Sequence, residues 1–196
     1  MKQKTLMSQL KVNEIFYSIQ GEGVRIGTPN IFIRLSGCNL KCSFCDTEHN
    51  SFEIYSIDKL YKHIQKYNCK NIIWTGGEPL LQLTEDVVIF FKQKGYFQAI
   101  ETNGTLPIIK GLDFISVSPK TFNLKIKKCD EVKYLIPFWD LHKLPMIKAN
   151  YYFICPVNYR ENLNIKNIKK CIQNVLKRGD GKWRINIQLH KILKIK

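Results

Sequence analysis

Three closely spaced cysteines constrain this chain more than any other feature. Cys38, Cys42 and Cys45 stand at C-x3-C-x2-C spacing. Thiolates are soft ligands that suit iron–sulfur clusters and zinc. Three of them on one loop can bind three irons of a four-iron cluster, which leaves the fourth iron open to a small molecule. A structural zinc site needs four ligands, and His49 could be the fourth, so a zinc-stabilised structural protein remains an alternative.

The bulk composition is that of an ordinary globular protein. The chain has 196 residues, of which 44% are hydrophobic, and this favours one domain over residues 1–196. There is no apolar run long enough for a membrane span and no visible secretory signal. An iron–sulfur loop needs reduced thiols, which predicts a cytoplasmic location. The other cysteines are interpreted as buried or incidental thiols: Cys69, Cys129, Cys155 and Cys171.

The net charge of +15 raises the question of a nucleic-acid partner. The segment from Ile165 to Lys196 carries ten Lys or Arg residues and one acidic residue, Asp180. Elsewhere the basic residues are spread, and arginine, the better reader of nucleic acids, is scarce. Direct nucleic-acid binding is therefore not favoured. The charge instead favours acidic partners, such as a flavodoxin-like electron donor.

The hydrophobic pattern predicts strands that alternate with helices, which is typical of a parallel sheet. Polar or glycine-bearing segments follow nearly every strand, as in barrels that build a site at the carboxyl ends of their strands. The chain is short for eight units, so a partial, open barrel is expected. Its exposed edges would suit a homodimer. The predicted strands are Val12–Tyr17, Asn30–Leu35, Asn71–Thr75, Phe97–Glu101, Phe114–Ser118, Val132–Ile136, Tyr151–Ile154 and Trp183–Ile187.

Three helices are predicted from apolar spacing and capping residues. Ser56 would cap Ile57–Tyr67, and Thr84 would cap a helix that runs through Lys94. Asn164 would cap a third helix. Its predicted apolar face consists of Ile165, Ile168, Ile172, Val175 and Leu176.

Four segments together resemble a known family. They are Tyr17–Gly23, Arg34–Leu40, Cys45–Thr47 and the Gly76-Gly77-Glu78-Pro79 element that follows a predicted strand. The cluster loop and Gly-Gly-Glu-Pro resemble the radical S-adenosylmethionine (SAM) superfamily. With the flanking residues, the chain resembles the 7-carboxy-7-deazaguanine synthases over nearly its whole length. The resemblance implies an α/β fold with a partial, TIM-like barrel of the radical SAM type.

The resemblance also implies cofactors and site residues. A [4Fe-4S] cluster would be held by Cys38, Cys42 and Cys45, and Mg²⁺ would be near the Thr47 hydroxyl. Cys155 is a departure, because the family more often has Gln-Pro where this chain has Cys155-Pro156. The implied SAM contacts are Phe44, Cys45, Asp46, Gly77, Glu78, Ser118, Pro119, Lys120, Cys155, Pro156, Val157 and Asn158. The implied substrate contacts are Ile19, Gln20, Gly21, Glu22, Arg34, Thr75 and His190.

Several of these residues could instead have a purely structural role. Gln20–Gly23 would serve a plain turn, and Arg34 could form a structural salt bridge. Asp46 or Thr47 could cap a short helix. Lys120 could be a solvated lysine, and a lone histidine such as His190 is more often structural.

In the family, the reaction is a radical ring contraction in queuosine biosynthesis. 6-Carboxy-5,6,7,8-tetrahydropterin loses its C6 hydrogen to a radical derived from SAM, then loses ammonia and becomes 7-carboxy-7-deazaguanine, while SAM is regenerated. One alternative is a glycyl-radical activating enzyme, which shares the cluster loop and Gly-Gly-Glu-Pro. Another is a tRNA-binding module, which only the basic segment from Ile165 supports.

Overall fold

The computed structural model describes residues 9–45, 47–158 and 162–196. They contain nine strands, which form one sheet. The strands are β1 (Gln9–Ile19), β2 (Pro29–Leu35), β3 (Glu53–Ser56), β4 (Asn71–Gly76), β5 (Phe97–Thr102), β6 (Phe114–Val117), β7 (Lys128–Ile136), β8 (Lys148–Pro156) and β9 (Trp183–Ile185). The α-helices of this described part are α1 (Ile57–Ile64), α2 (Glu85–Gln93), α3 (Ile165–Arg178) and α4 (Leu189–Leu193).

The sheet has the order β3-β1-β2-β4-β5-β6-β7-β8-β9. β1 pairs antiparallel with β2 and β3, and every strand pair from β2–β4 to β8–β9 is parallel. The sheet is curled, as shown by a contact between distant parts of it: the Leu189 N–H after β9 donates to the Gly21 carbonyl after β1 at 2.9 Å. The two outer strands β3 and β9 do not pair with each other in the described residues. The predicted partial, open barrel is therefore confirmed.

The alternation of side chains along the strands separates the core from the site. Ile33 and Leu35 of β2 and Trp74 of β4 pack with α1 and α2 on one face of the sheet. On the other face, Phe32, Ile73 and Ala99 form a small apolar cluster. Residues two positions further along β2, β4 and β5 point the same way, and these are polar: Arg34, Thr75 and Glu101. The apolar cluster therefore forms a base on which a polar layer is built.

Most predicted elements are present, with shifted ends. Ser56 caps α1 as predicted, since its side chain accepts from the Lys59 N–H, but the helix ends at Ile64 rather than Tyr67. The Thr84 side chain makes no capping hydrogen bond to α2. β3 and α4 were not predicted, and both are short, at four and five residues.

The predicted apolar face of α3 is confirmed only in part, since Val175 packs against the core. Asn164 caps this helix as expected, but its buried residues are Asn167 and Cys171. Ile165 and Leu176 are instead 57% and 73% exposed. Asn167 is buried because its side-chain amide donates to the Val157 carbonyl at 2.7 Å. A polar residue thus shares the inner face of α3 with Cys171 and Val175, while Ile165, Ile172 and Leu176 are exposed.

Candidate active site

The open barrel surrounds one large cleft of about 990 Å³. This volume is near the upper end for a pocket that holds a single small molecule, so it offers room for two small ligands. Of the residues implied by the family resemblance, the cleft is lined by Ile19, Gln20, Gly21, Glu22, Arg34, Cys38, Cys42, Phe44, Cys45, Thr47, Thr75, Gly77, Ser118, Lys120, Cys155, Pro156, Val157, Asn158 and His190. Glu78 and Pro119 are not in this lining, and Asp46 lies outside the described residues.

The cysteine loop follows β2 and is closed by backbone contacts. The Gly37 N–H and the Ser36 hydroxyl both donate to the His49 carbonyl, at 2.8 and 2.6 Å. Phe44 packs on Phe138, with ring centroids 4.8 Å apart. This contact covers one side of the loop with aromatic surface, as expected for a residue that shields a cluster.

The three thiols lie near enough to one another to interact electrostatically. Burial raises the pKa of the Cys42 thiol, Lys120 opposes this shift, and nearby Cys45 and Cys38 add to it. In the described residues, no three His, Cys, Asp or Glu side chains converge on a point that one ion could fill. A cubane needs no such convergence, because each cysteine binds a different iron.

The Gly-Gly-Glu-Pro element joins β4 to the cysteine loop. The Gly77 N–H donates to Leu35 O at 3.0 Å, and the Glu78 N–H donates to Gly37 O at 2.9 Å. The Glu78 side chain is fully buried and accepts from Thr102 Oγ1 at 2.7 Å and from the Asn103 N–H at 2.8 Å. Burial raises the pKa of Glu78. This carboxylate therefore holds the end of β5 and does not face the cleft.

Ser118 and Lys120 follow β6 on the cysteine-loop side of the cleft. The Lys120 ammonium donates to Ser118 O at 2.8 Å and also to Ser118 Oγ. Burial lowers the pKa of Lys120 to about 8, partly offset by Cys42. Lys120 is thus a half-buried amine beside a cysteine of the loop rather than a fully solvated lysine.

The end of β8 and the segment after it form another wall of the cleft. Burial raises the pKa of the Cys155 thiol well above its usual value, so Cys155 stays neutral. Asn158 donates to Gln188 Oε1 at 2.9 Å and accepts from the Asn164 N–H at 2.8 Å. Asn158 therefore links the cleft to the start of α3.

A partly buried group of charged side chains lies at the floor of the cleft. The Lys133 ammonium donates to Glu22 Oε2 at 2.8 Å and to Glu101 Oε1 at 3.4 Å. Gln188 donates to the other oxygen of Glu22 at 2.9 Å. Burial alone would raise the pKa of Glu22, but Lys133 lowers it to about 2. Glu101 also accepts from Gln20 Nε2 at 3.1 Å and Thr75 Oγ1 at 2.9 Å.

Sequence reasoning missed Glu101, Lys133 and Gln188. A sequence feature could have pointed to each of them. Glu101 ends a predicted strand, Lys133 interrupts an apolar strand, and Gln188 lies two positions before the predicted site residue His190. A charged residue between buried neighbours needs a partner, and that partner comes from a distant part of the chain.

Arg34 and His190 both line the cleft. Arg34 Nε lies 3.5 Å from Glu14 Oε2, and the guanidinium stacks over the Phe16 ring at 5.6 Å. The predicted structural salt bridge is thus present, on a side chain that also lines the cleft. A Cβ at Gly21 would lie 2.3 Å from His190 Nδ1, so the glycine is what allows the ring to approach the backbone.

Comparisons with known proteins agree with this architecture. Residues 32–136 match the Radical SAM superfamily. The chain is 38% identical to the 7-carboxy-7-deazaguanine synthase of Bacteroides thetaiotaomicron, over 95% of this chain and 98% of that protein. The chain belongs to the 7-carboxy-7-deazaguanine synthase family. As a radical SAM enzyme, it belongs to a superfamily whose members use a [4Fe-4S] cluster and SAM.

One further relative supports membership of the 7-carboxy-7-deazaguanine synthase family, and one solved structure supports the fold. The enzyme of this name from Haemophilus influenzae is 35% identical, over 93% of this chain and 92% of its own length. The crystal structure of QueE from Escherichia coli superposes with a TM-score of 0.74 at 24% identity, over 93% of this chain and 95% of that one, and supports the fold. No helix of the described residues is long and apolar enough to cross a membrane.

Proposed function

We propose that this chain is a lyase that converts 6-carboxy-5,6,7,8-tetrahydropterin to 7-carboxy-7-deazaguanine, a step toward queuosine. The observation that carries the proposal is a single cleft that joins a three-cysteine loop to a floor of hydrogen-bond acceptors. A pterin has several N–H donors along one edge, and carboxylates accept hydrogen bonds from such donors. The cleft is large enough for the pterin and SAM together.

The cysteine-loop side would hold the cofactors. Cys38, Cys42 and Cys45 would bind the [4Fe-4S] cluster, and Lys120 would face the carboxylate of SAM. The cluster and SAM, when bound, supply the radical chemistry, so the protein's task is to position the ligands and exclude water. Because the Glu78 carboxylate is occupied, the Gly76–Gly77 backbone would be the acceptor for the SAM ammonium. The wall residues from Cys155 to Asn158 would complete this side.

The opposite side would hold the substrate. Glu22, Glu101 and Gln20 would bind the pterin edge, and His190 and Thr75 would contact it from the walls. Arg34 would bind the substrate carboxylate, since a guanidinium offers paired donors. The Thr47 hydroxyl lines the same cleft and would bind Mg²⁺ together with that carboxylate.

Partners and location follow from the same features. The net charge of +15 supports an acidic, flavodoxin-like electron donor. The exposed Ile165, Ile172 and Leu176 on the outer side of α3 support a homodimer. The free cysteines support a reducing cytoplasm. All nine described strands belong to one sheet, which supports a single domain.

The proposal is tested by anaerobic turnover. The reconstituted protein is incubated with SAM, dithionite, Mg²⁺ and 6-carboxytetrahydropterin, and the mixture is analysed by mass spectrometry. We expect 7-carboxy-7-deazaguanine to form without any protein partner, which a glycyl-radical activating enzyme would need. Cleavage of SAM to 5′-deoxyadenosine with no deazapurine would keep the superfamily and reject the substrate. A protein that assembles no cluster and copurifies with zinc would reject both.

Arg34 gives a quantitative test of the substrate side. We expect Arg34→Lys to raise KM for the pterin about 30-fold with a smaller change in kcat, because a lysine loses the paired contact of about 2 kcal/mol to a carboxylate. Steady-state kinetics would measure the change. The matched control is Arg184→Lys, at an exposed arginine of β9, which should keep the wild-type KM. A KM change no larger than that of the control would reject the role of Arg34.

A further inference from the structure

The floor of the cleft contains two carboxylates that would repel each other if no cation lay between them. The carboxylates of Glu22, from the loop after β1, and Glu101, from β5, meet in a partly buried place, with side chains only 18% and 27% exposed. Two carboxylates that share a site repel each other, and one of them normally takes up a proton. A neutral carboxylic acid has lost part of its capacity to accept hydrogen bonds.

Lys133 is the residue that removes this conflict. Its side chain is 6% exposed, and its ammonium is bonded to both carboxylates. Two negative charges and one positive charge leave this group with a net charge of −1. Burial alone would lower the pKa of Lys133, but Glu101 and Glu22 raise it well above its usual value, so the lysine stays charged.

We propose that Lys133 is a positioning residue for substrate recognition, which keeps Glu22 and Glu101 ionised side by side so that both accept hydrogen bonds from the N–H edge of a pterin. This inference rests on the proposed function, because the pterin supplies those donors. Gln20, Thr75 and Gln188 already donate to the same carboxylates and fix their orientation. Each carboxylate has about four acceptor positions, so sites remain for a ligand.

Other charged and titratable groups surround Glu22, Glu101 and Lys133. On the loop after β1 and on β5 these are the two carboxylates themselves and Arg25, which interacts electrostatically with Glu101. Glu131 acts electrostatically on Lys133 and is held by Ser116 Oγ at 2.8 Å and the Val24 N–H at 2.9 Å. Further groups that act electrostatically on Glu22, Lys133 or both are His190, Cys155 and Lys120. Lys133 is the cation that bonds directly to both carboxylates.

The first test is the affinity of Lys133→Met for the pterin. The reconstituted, SAM-loaded enzyme without reductant is titrated anaerobically with 6-carboxytetrahydropterin by calorimetry at pH 6 and pH 8. We expect Kd to rise about 10- to 100-fold at pH 6 relative to the wild type. The rise should be smaller at pH 8, because a carboxylate that lost its lysine is protonated at the lower pH. Dividing by the wild-type Kd at each pH removes titration of the pterin itself.

The second test needs no substrate. In the variant, burial should raise the pKa of one carboxylate above its unfolded value, so ionisation of that group opposes folding. Relative to the wild type, Lys133→Met should therefore become less stable as pH rises from 6 to 8, which is opposite to its trend in affinity. Denaturant unfolding at the two pH values measures this. The matched control is Lys128→Met, at an exposed lysine of the same strand, which should show neither trend.

Two further variants separate charge from packing. Lys133→Arg keeps the charge and should keep both trends close to those of the wild type. Lys133→Met/Glu22→Gln restores the net charge of −1, so its stability should exceed that of Lys133→Met at pH 8, even if the single variant does not fold. A double variant no more stable than the single one, or an affinity ratio independent of pH, would overturn the inference. A wild type that does not bind the pterin would instead reject the proposed function, and the stability test would still decide the role of the charge.

Discussion

Replacing Cys42 by alanine should remove the cluster and lower turnover at least about 1,000-fold, since the radical chemistry depends wholly on the cofactor. Cys42 lies between Cys38 and Cys45 and shares the cleft with both. Two thiolates cannot hold three irons, so a four-iron cluster loses its attachment. Iron and sulfide analysis and the visible spectrum of the reconstituted protein would measure the loss.

Cys69→Ala is the matched control for this experiment. Cys69 is a half-buried cysteine whose thiol donates to backbone carbonyls at Pro29 and Asn71, away from the cleft lining. It should keep the cluster and most of the activity. A Cys42→Ala protein with full iron content, or equal losses in the two variants, would contradict the assignment of the ligands.

Gly77→Ala should disturb the cysteine loop through the backbone. A Cβ at this position would lie 1.9 Å from the Gly37 carbonyl oxygen and 2.5 Å from its carbon. Neither atom belongs to a side chain that could rotate away, so Gly37 and the following Cys38 must move. We expect a loss of about 3 kcal/mol in the free energy of unfolding, as in severe overpacking, and reduced cluster content. Denaturant unfolding and iron analysis would measure the two effects.

Gly181→Ala separates this clash from the general cost of losing a glycine. Gly181 has φ +67°, and a Cβ added there would have no neighbouring atom within 4 Å. Alanine at this position therefore costs only backbone strain of about 1 kcal/mol. Iron content should not change in this control. If Gly77→Ala were no worse than Gly181→Ala, the close packing of the Gly-Gly-Glu-Pro element on the cysteine loop would be wrong.

The sequence was informative where function depends on local spacing. The cysteine loop, the Gly-Gly-Glu-Pro element and the capping residues Ser56 and Asn164 are each encoded within a few neighbouring positions. The alternation of strands with helices along the chain also predicted the parallel part of the sheet. The open barrel could be expected because strand ends with polar residues recur along a chain too short for eight full units.

The residues that sequence reasoning missed depend on contacts between distant segments. Lys133 and Glu22 are 111 positions apart, and Lys133 and Glu101 are 32 apart. Glu78 was expected to face SAM, but its side chain turns inward to the end of β5. The inner face of α3 was mispredicted in part because Asn167 is needed at the Val157 carbonyl, and periodicity alone ranks an asparagine as exposed.

The most direct measurement is an isotope-transfer experiment with 6-carboxytetrahydropterin deuterated at C6. We expect the wild type to form 7-carboxy-7-deazaguanine and deuterium to appear in the recovered SAM, because both molecules occupy one cleft. Mass spectrometry of SAM and product reports both results in one sample. Product formation with all of the C6 deuterium released to solvent, and none in SAM, would contradict the account.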